Sequence, residues 1–276
     1  MPITSSVSNV QTDHRADLDL IADLAAQAGQ IALRYFKKDP EVWMKPGDSP
    51  VSEADYAVDH FLKEKLLEAR PDYGWLSEET DLDDSRLDTP RTFVVDPIDG
   101  TRGFIQGLCR WCVSVAVVEA NRPIAGVLDC PAIGEQFTAL TRGGAHLNGE
   151  RLIAAAPQTK TLRLTGPRAL QTTMDRDVPQ QVKKAPFVPS LAYRIAMVAK
   201  GKTDVAVARA SAKDWDLAAA DLIAQESGAI LTGLDGEMLK YNCQDVRHGA
   251  LVCAHTDHHR EMLGYVRRAM DEHQKP

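Results

Sequence analysis

No run of the chain is apolar over the roughly 20 residues that a membrane span requires. The N-terminus also lacks the basic stretch followed by an apolar one that marks a secretory signal. The expected location is the cytoplasm, with a short disordered lead-in ahead of the first helix. Positive charge is in short supply: 32 Lys and Arg stand against 39 Asp and Glu, a net charge of −7. That argues against a general nucleic-acid surface. It also sets a condition on phosphate binding, because an acidic protein needs a local source of positive charge to hold a dianion. Cysteines are few and odd in number; Cys109, Cys112, Cys130, Cys243 and Cys253 lie scattered through apolar stretches, as reduced thiols do in a chain that is not exported. Cys109-Arg110-Trp111-Cys112 spells C-x-x-C, but no second pair accompanies it and Cys112 opens a strand-like run. Neither a zinc site nor a redox centre is expected there. No internal repeat or low-complexity linker interrupts the chain.

What the chain does have is an ordinary globular composition, 44% hydrophobic and 26% charged over 276 residues. That is enough for a sizeable core in one large domain or two small ones. Leu20, Leu24, Ala28, Ile31 and Tyr35 recur at helical spacing and predict a helix over 16–38, ended by Pro40. A loop carrying Lys45, Pro46, Gly47, Asp48 and Pro50 follows. Ser52 then caps a second helix with the stripe Val58, Phe61, Leu62 and Leu66, closed by Pro71. From Gly74 the period becomes that of strands: 75–76, 92–95, and a meander of 112–119, 124–128 and 136–140. Turn signals stand at Asn121-Arg122-Pro123, Arg142-Gly143-Gly144 and Asn148-Gly149. The second half alternates strand and helix through 162–165, 191–200, 204–208, 216–226, 229–231 and 249–253, with a C-terminal helix. The expected fold class is a layered α/β (α+β) arrangement. Its expected units are an N-terminal α+β subdomain, 1–155, and a C-terminal α/β subdomain, 156–276, sharing an interface.

The segment that carries chemistry is Asp96-Pro97-Ile98-Asp99-Gly100-Thr101, after the buried run Phe93-Val94-Val95. Two carboxylates emerge where a strand is expected to end. Magnesium takes hard oxygen ligands in near-octahedral geometry. Pro97 restricts the backbone so that Asp96 and Asp99 can converge, and it leaves nearby carbonyls free. Gly100 permits a tight backbone, and the Thr101 hydroxyl can bond a phosphate oxygen or an attacking water. Alone, the segment reads as a turn. It is accompanied by Ser77-Glu78-Glu79 at another strand terminus, by Asp55 on the first turn of the second helix, and by Asp216 in Asp214-Trp215-Asp216-Leu217-Ala218-Ala219-Ala220. Singly, Asp55 and Asp216 are acids that the helix dipole favours. Four such segments in this order form a distributed acidic cluster. His255, His258 and His259 have no such company and read as a solvated helix start.

This combination resembles the inositol monophosphatase-like superfamily of magnesium-dependent, lithium-sensitive phosphatases, from about Leu18 to Cys253. The specific pieces are Val95-Asp96-Pro97-Ile98-Asp99-Gly100-Thr101 and Trp215-Asp216-Leu217-Ala218-Ala219. The resemblance implies a five-layer α-β-α-β-α sandwich holding two to three Mg2+ ions. On matching positions, Glu78, Asp96, Asp99 and Asp216 would be metal ligands, with the Ile98 carbonyl completing one site. Asp55 and Thr101, together with Glu78, would make up the catalytic set that orients and deprotonates water. Gly100 and Thr101 would hold the phosphate through backbone N–H groups. The family often has Gly where Ser77 stands. No covalent phosphoenzyme is implied, and the spacing of Asp96 and Asp99 is wrong for the aspartyl-phosphate phosphatases. The implied partner is a small-molecule phosphate ester, with no nucleic acid and no membrane; family members occur as homodimers and monomers.

Substrate clues lie outside the carboxylates. Arg102-Gly103-Phe104 stands where inositol phosphatases have a T-N-F pattern, and it resembles the 3'(2'),5'-bisphosphate nucleotidase branch. Leu234-Asp235-Gly236-Glu237-Met238-Leu239-Lys240-Tyr241 is similar to that branch too, and Arg194 falls where the branch has a lysine. The implied reaction converts adenosine 3',5'-bisphosphate, a by-product of sulfur metabolism, to AMP. A substrate with two phosphates needs cations beyond the metals, and a guanidinium pairs bidentately with phosphate. Arg102 and Arg194 are the candidates, with Lys45 in the loop before Asp55; each also reads as a surface charge. Trp43, Trp75 and Trp111 are expected to pack, while any aromatic in the cleft could stack on adenine. The alternatives are an inositol-1-phosphate or broad sugar-phosphate phosphatase on the same scaffold, and, in another class, an RNA-polymerase- or ribosome-associated factor.

Overall fold

The computed structural model describes residues 4–45, 47, 49–156, 160–167, 170, 172, 174, 176 and 178–274. Pro46 and Asp48 of the expected loop, and the first three residues of the expected lead-in, lie outside the described residues. Helix α1 (Thr4–Tyr35) begins well before residue 16. Neither Gly nor Pro occurs between Thr4 and Ala28, so nothing in the chain breaks the helix there. Strands β1 (Val42–Lys45) and β2 (Ser49–Ser52) pair antiparallel where a plain loop was expected. Helix α2 (Glu53–Ala69) starts at its Ser52 cap.

A seven-stranded sheet follows: β3 (Gly74–Ser77), β4 (Arg91–Asp99), β5 (Cys112–Glu119), β6 (Arg122–Cys130), β7 (Glu135–Leu140), β8 (Gly144–Leu147) and β9 (Glu150–Leu152), in that spatial order. The short helix α3 (Thr101–Ile105) interrupts it after β4. Only β3 and β4 run parallel; the other pairs are antiparallel. Asn148 and Gly149 both have positive φ in the β8–β9 turn, as a two-residue hairpin of this composition requires. The second sheet contains β10 (Thr161–Thr165), β11 (Gln181–Lys184), β12 (Val205–Ala208), β13 (Ala229–Gly233) and β14 (Leu251–His255), in the order β11-β10-β12-β14-β13. Helices α4 (Leu191–Ala199), α5 (Asp214–Ser227) and α6 (Thr256–Gln274) follow, and short 3-10 turns stand at Asp84–Asp88 and Pro131–Ile133.

Strand β5 explains the layering. Val113, Val115 and Val117 point to one face, packed with residues of α1 and α2. Cys112, Ala116 and Val118 point to the other, packed with α4 and α5. A strand covered on both faces is apolar throughout rather than alternating. Close approach of α5 depends on small residues: a Cβ on Gly126 would come within 3.0 Å of Ala219 Cα. The same α4–α5 core reaches Ala206, Ala208, Leu231, Leu251 and Cys253 of the second sheet. Val205, Val207, Val252 and Ala254 on its far face pack against Met262, Leu263, Val266 and Ala269 of α6. The layers are therefore α1–α2, the first sheet, α4–α5, the second sheet, and α6. No helix among the described residues is long and apolar enough to cross a membrane.

Candidate metal and phosphate site

The aspartate run is not past the end of its strand: β4 continues through it to Asp99. Side chains three apart on a regular strand face opposite ways. Here Asp96 pairs with Ser114 and Asp99 with Cys112, so β4 spends three residues where β5 spends two. That bulge turns both carboxylates to the α5 side. The Asp96 carboxylate accepts the Ile98 N–H at 3.0 Å. Gly100 then takes φ +98°, and a Cβ there would lie 3.0 Å from the Ser190 nitrogen, so glycine is required on both counts.

Helix α5 brings the third carboxylate. Asp216 accepts the Lys213 N–H at 2.7 Å across the first turn. Oxygens of Asp96, Asp99 and Asp216 gather within 4.8 Å of one another, and no other group among the described residues could hold a metal in this way. Burial and the mutual repulsion of these acids push Asp96 well above the usual carboxylate range and Asp216 up to about 8. Burial likewise pushes Asp99 up to about 6, against the opposing hydrogen bonds from the Ser190 hydroxyl and the Leu191 and Ala192 N–H groups at the start of α4. Buried, converging, all-oxygen and short of positive charge, the donor set fits a hard divalent cation.

Asp55 and Thr101 stand beside this cluster. The Thr101 hydroxyl is 3.1 Å from Asp55 Oδ1 and 2.9 Å from the Ile98 carbonyl oxygen, two acceptors for one proton. Asp55 Oδ2 accepts both the N–H and the hydroxyl of Ser52, at 2.8 and 2.6 Å. Burial pushes the Asp55 carboxyl up to about 6. Glu78 lines the same pocket as the three aspartates, with Gly100, Thr101 and Arg102; the pocket holds about 220 Å³. Glu78 is outside the close triad. Its carboxylate receives the Lys45 ammonium at 3.0 Å, and the same ammonium lies 2.8 and 2.9 Å from the two oxygens of Glu79.

A second pocket of about 390 Å³ adjoins the first, and Phe187 lines both. Among the described residues its charged lining consists of Lys184, Arg194 and Arg209, with no carboxylate. Arg194 is half-buried within electrostatic reach of Asp99 and Asp216. Phe187 is 77% exposed. Trp111 is instead buried against Phe36 and Phe104, and Trp43 packs on Tyr56. All five cysteines are free thiols. His259 is buried beside Thr232, 3.1 Å from its hydroxyl, rather than solvated as expected for the start of this helix.

A model of the inositol monophosphatase family matches residues 14–274. The chain belongs to that family. It is therefore a phosphatase of a metal-dependent family. A 3'(2'),5'-bisphosphate nucleotidase CysQ of Aggregatibacter actinomycetemcomitans is 28% identical, over 80% of this chain and 86% of that one. A histidinol-phosphatase of Streptomyces coelicolor is 31% identical, over 92% and 98%. An inositol-1-monophosphatase of Mesorhizobium japonicum is 31% identical, over 79% and 86%. The solved Thermotoga maritima IMPase superposes with a TM-score of 0.81 at 23% identity, covering 93% of this chain and 99% of that one. In this inositol monophosphatase-family chain, sequence reading did not single out Ser190, Lys184, Phe187, Arg209 or the role of Glu79. A signal was present for two of them: Phe187 stands between Pro186 and Pro189, and Ser190 follows a proline just before a helix, as helix caps do.

Proposed function

We propose that the chain is a Mg2+-dependent phosphomonoesterase that removes the 3'-phosphate of adenosine 3',5'-bisphosphate to give AMP. The observation that carries this reading is the cationic pocket beside the carboxylates, with Lys184, Arg194 and Arg209 in its lining and Phe187 at the boundary. A bisphosphate places one phosphate over the acidic cluster and the other among these cations. Inositol 1-phosphate has no second phosphate to use them. Histidinol phosphate carries an ammonium group, which three cations repel. The exposed ring of Phe187 offers a stacking face for adenine.

In this reading Glu78, Asp96, Asp99, Asp216 and the Ile98 carbonyl would hold two to three Mg2+ ions, which would supply a lowered pKa for water and stabilisation of charge on the leaving oxygen. Gly100 and Thr101 receive the phosphate through their backbone N–H groups, and Arg102 approaches it from the rim. The Thr101 hydroxyl orients the attacking water, and Asp55 takes up its proton. A carboxyl at about 6 is ionised at neutral pH yet close enough to it to act as a base. Strand β4 supplies Asp96 and Asp99 while α5 supplies Asp216, so the segments 1–155 and 156–276 work as one catalytic unit.

The test measures phosphate release from adenosine 3',5'-bisphosphate, inositol 1-phosphate, histidinol phosphate and fructose 1,6-bisphosphate, with Mg2+ and with EDTA. The expected kcat/KM for the nucleotide is at least about ten-fold above the others, near 1.4 kcal/mol of transition-state stabilisation. A ten-fold preference for any other ester of the panel overturns the substrate, and undiminished turnover in EDTA overturns the metal requirement.

A further inference from the structure

Lys45 and Glu78 sit in an arrangement that the hydrolytic chemistry does not call for. The Lys45 ammonium spans two adjacent acids, Glu78 and Glu79, in three contacts of 3.0 Å or less. All three side chains are largely withdrawn from water, Glu79 to 2% exposure. Glu78 also faces Asp55 and the Asp96–Asp216 cluster closely enough to disfavour their charged forms. A flexible cation thus lies on Glu78, the one carboxylate among the described pocket residues that stands apart from the aspartate triad.

From this we infer that Lys45 is a tethered counter-ion of the metal-free site, competing with the divalent cation for Glu78. A half-buried carboxylate beside other acids is costly without a positive partner, and a lysine ammonium is a compact point charge with three rotatable donors on a four-carbon stem. A metal and an ammonium held together at short range on Glu78 would repel each other strongly in a partly buried site, which disfavours joint occupancy. Loading therefore favours departure of Lys45 from Glu78, with Glu79 as its remaining anchor. The placement of Lys45 suits such a movement. It ends β1, whose other residues, Val42, Trp43 and Met44, are exposed, and β1 hydrogen-bonds to β2 alone. The apparent metal affinity would then be the intrinsic affinity reduced by this internal competitor.

The inference rests on Glu78 being a metal ligand and is independent of which ester is cleaved. Its test is calorimetric titration of Mn2+ into the EDTA-stripped full chain, without any ester, for the wild type, Lys45→Met, Lys45→Gln and Lys45→Arg. Both neutral variants are expected to bind Mn2+ at least about five-fold more tightly than wild type, and Lys45→Arg to show no tightening. Metal addition should also raise the melting temperature of the neutral variants more than that of wild type. An unchanged or weakened affinity in Lys45→Gln, with a cooperative melt showing that it is folded, overturns the counter-ion role. Absence of Mn2+ binding in the wild type itself would instead overturn the metal-site reading beneath it.

Discussion

The hydroxyl of Thr101 can donate its proton either to Asp55 or to the Ile98 carbonyl. In the proposed mechanism, a water oriented by that hydroxyl has Asp55 as its proton acceptor. Thr101→Val keeps the β-branched shape and removes the relay. It is expected to lower kcat by about 10²–10³-fold, within the range for general-base assistance, with little change in melting temperature. A variant retaining near-normal kcat would take Thr101 out of the chemistry. The pH profile follows from the Asp55 carboxyl at about 6, raised chiefly by burial. The base must be ionised and a bound divalent cation favours its charged form, so kcat/KM should fall with acid at some pH at or below about 6 and level off above it. A rate with no acid limb down to pH 4 would place the base elsewhere.

At the scale of elements, the α2 cap links local folding to that titration. Ser52 ends the β2 strand and donates twice to Asp55. These bonds favour the charged carboxylate and so oppose the effect of burial. Ser52→Ala is expected to cost about 1 kcal/mol of stability and to move the acid limb of the activity profile upward, by up to about one pH unit. An unmoved limb would uncouple the cap from catalysis. The same region shows what could and could not be read from sequence. Strand β5 was legible because a strand buried on both faces leaves a nearly unbroken run of valine and alanine, and β6 and β7 because turn signals bracket their apolar stretches. The β1–β2 hairpin was not, because Gly47 and Pro50 spell a loop and its strands bury too little to show a period. Strand β11 was missed for a similar reason: Gln181, Lys183 and Lys184 are exposed on a sheet edge. Each acidic segment of the site could be named in advance. The bulge in β4 could not, since it depends on pairing with β5, and neither could a cationic pocket assembled from side chains as far apart as Lys184 and Arg209.

The whole molecule answers to pH and metal together. Asp99, Asp216 and Asp96 have folded-state pKa values raised above their unfolded ones. The folded metal-free protein therefore binds more protons than the unfolded chain between about pH 4 and 8. Its stability should fall as pH rises through that window. In EDTA the melting temperature is expected to be higher at pH 5.5 than at pH 8, by roughly 5 °C or more, and Mg2+ should reverse the order by stabilising most at pH 8. Equal melting temperatures at the two pH values without metal would contradict crowded, buried acids.

The joint supply of carboxylates by β4 and α5 also sets an order of events during synthesis. Asp96 and Asp216 are 120 residues apart, so the nascent chain has no complete cage until α5 has left the ribosome and docked under the first sheet. On the proposed metal reading, capture would be a late step, available only to a chain whose central layer is already in place. If these carboxylates hold the metal as proposed, coordination would report that the central layer has assembled before any ester can be cleaved.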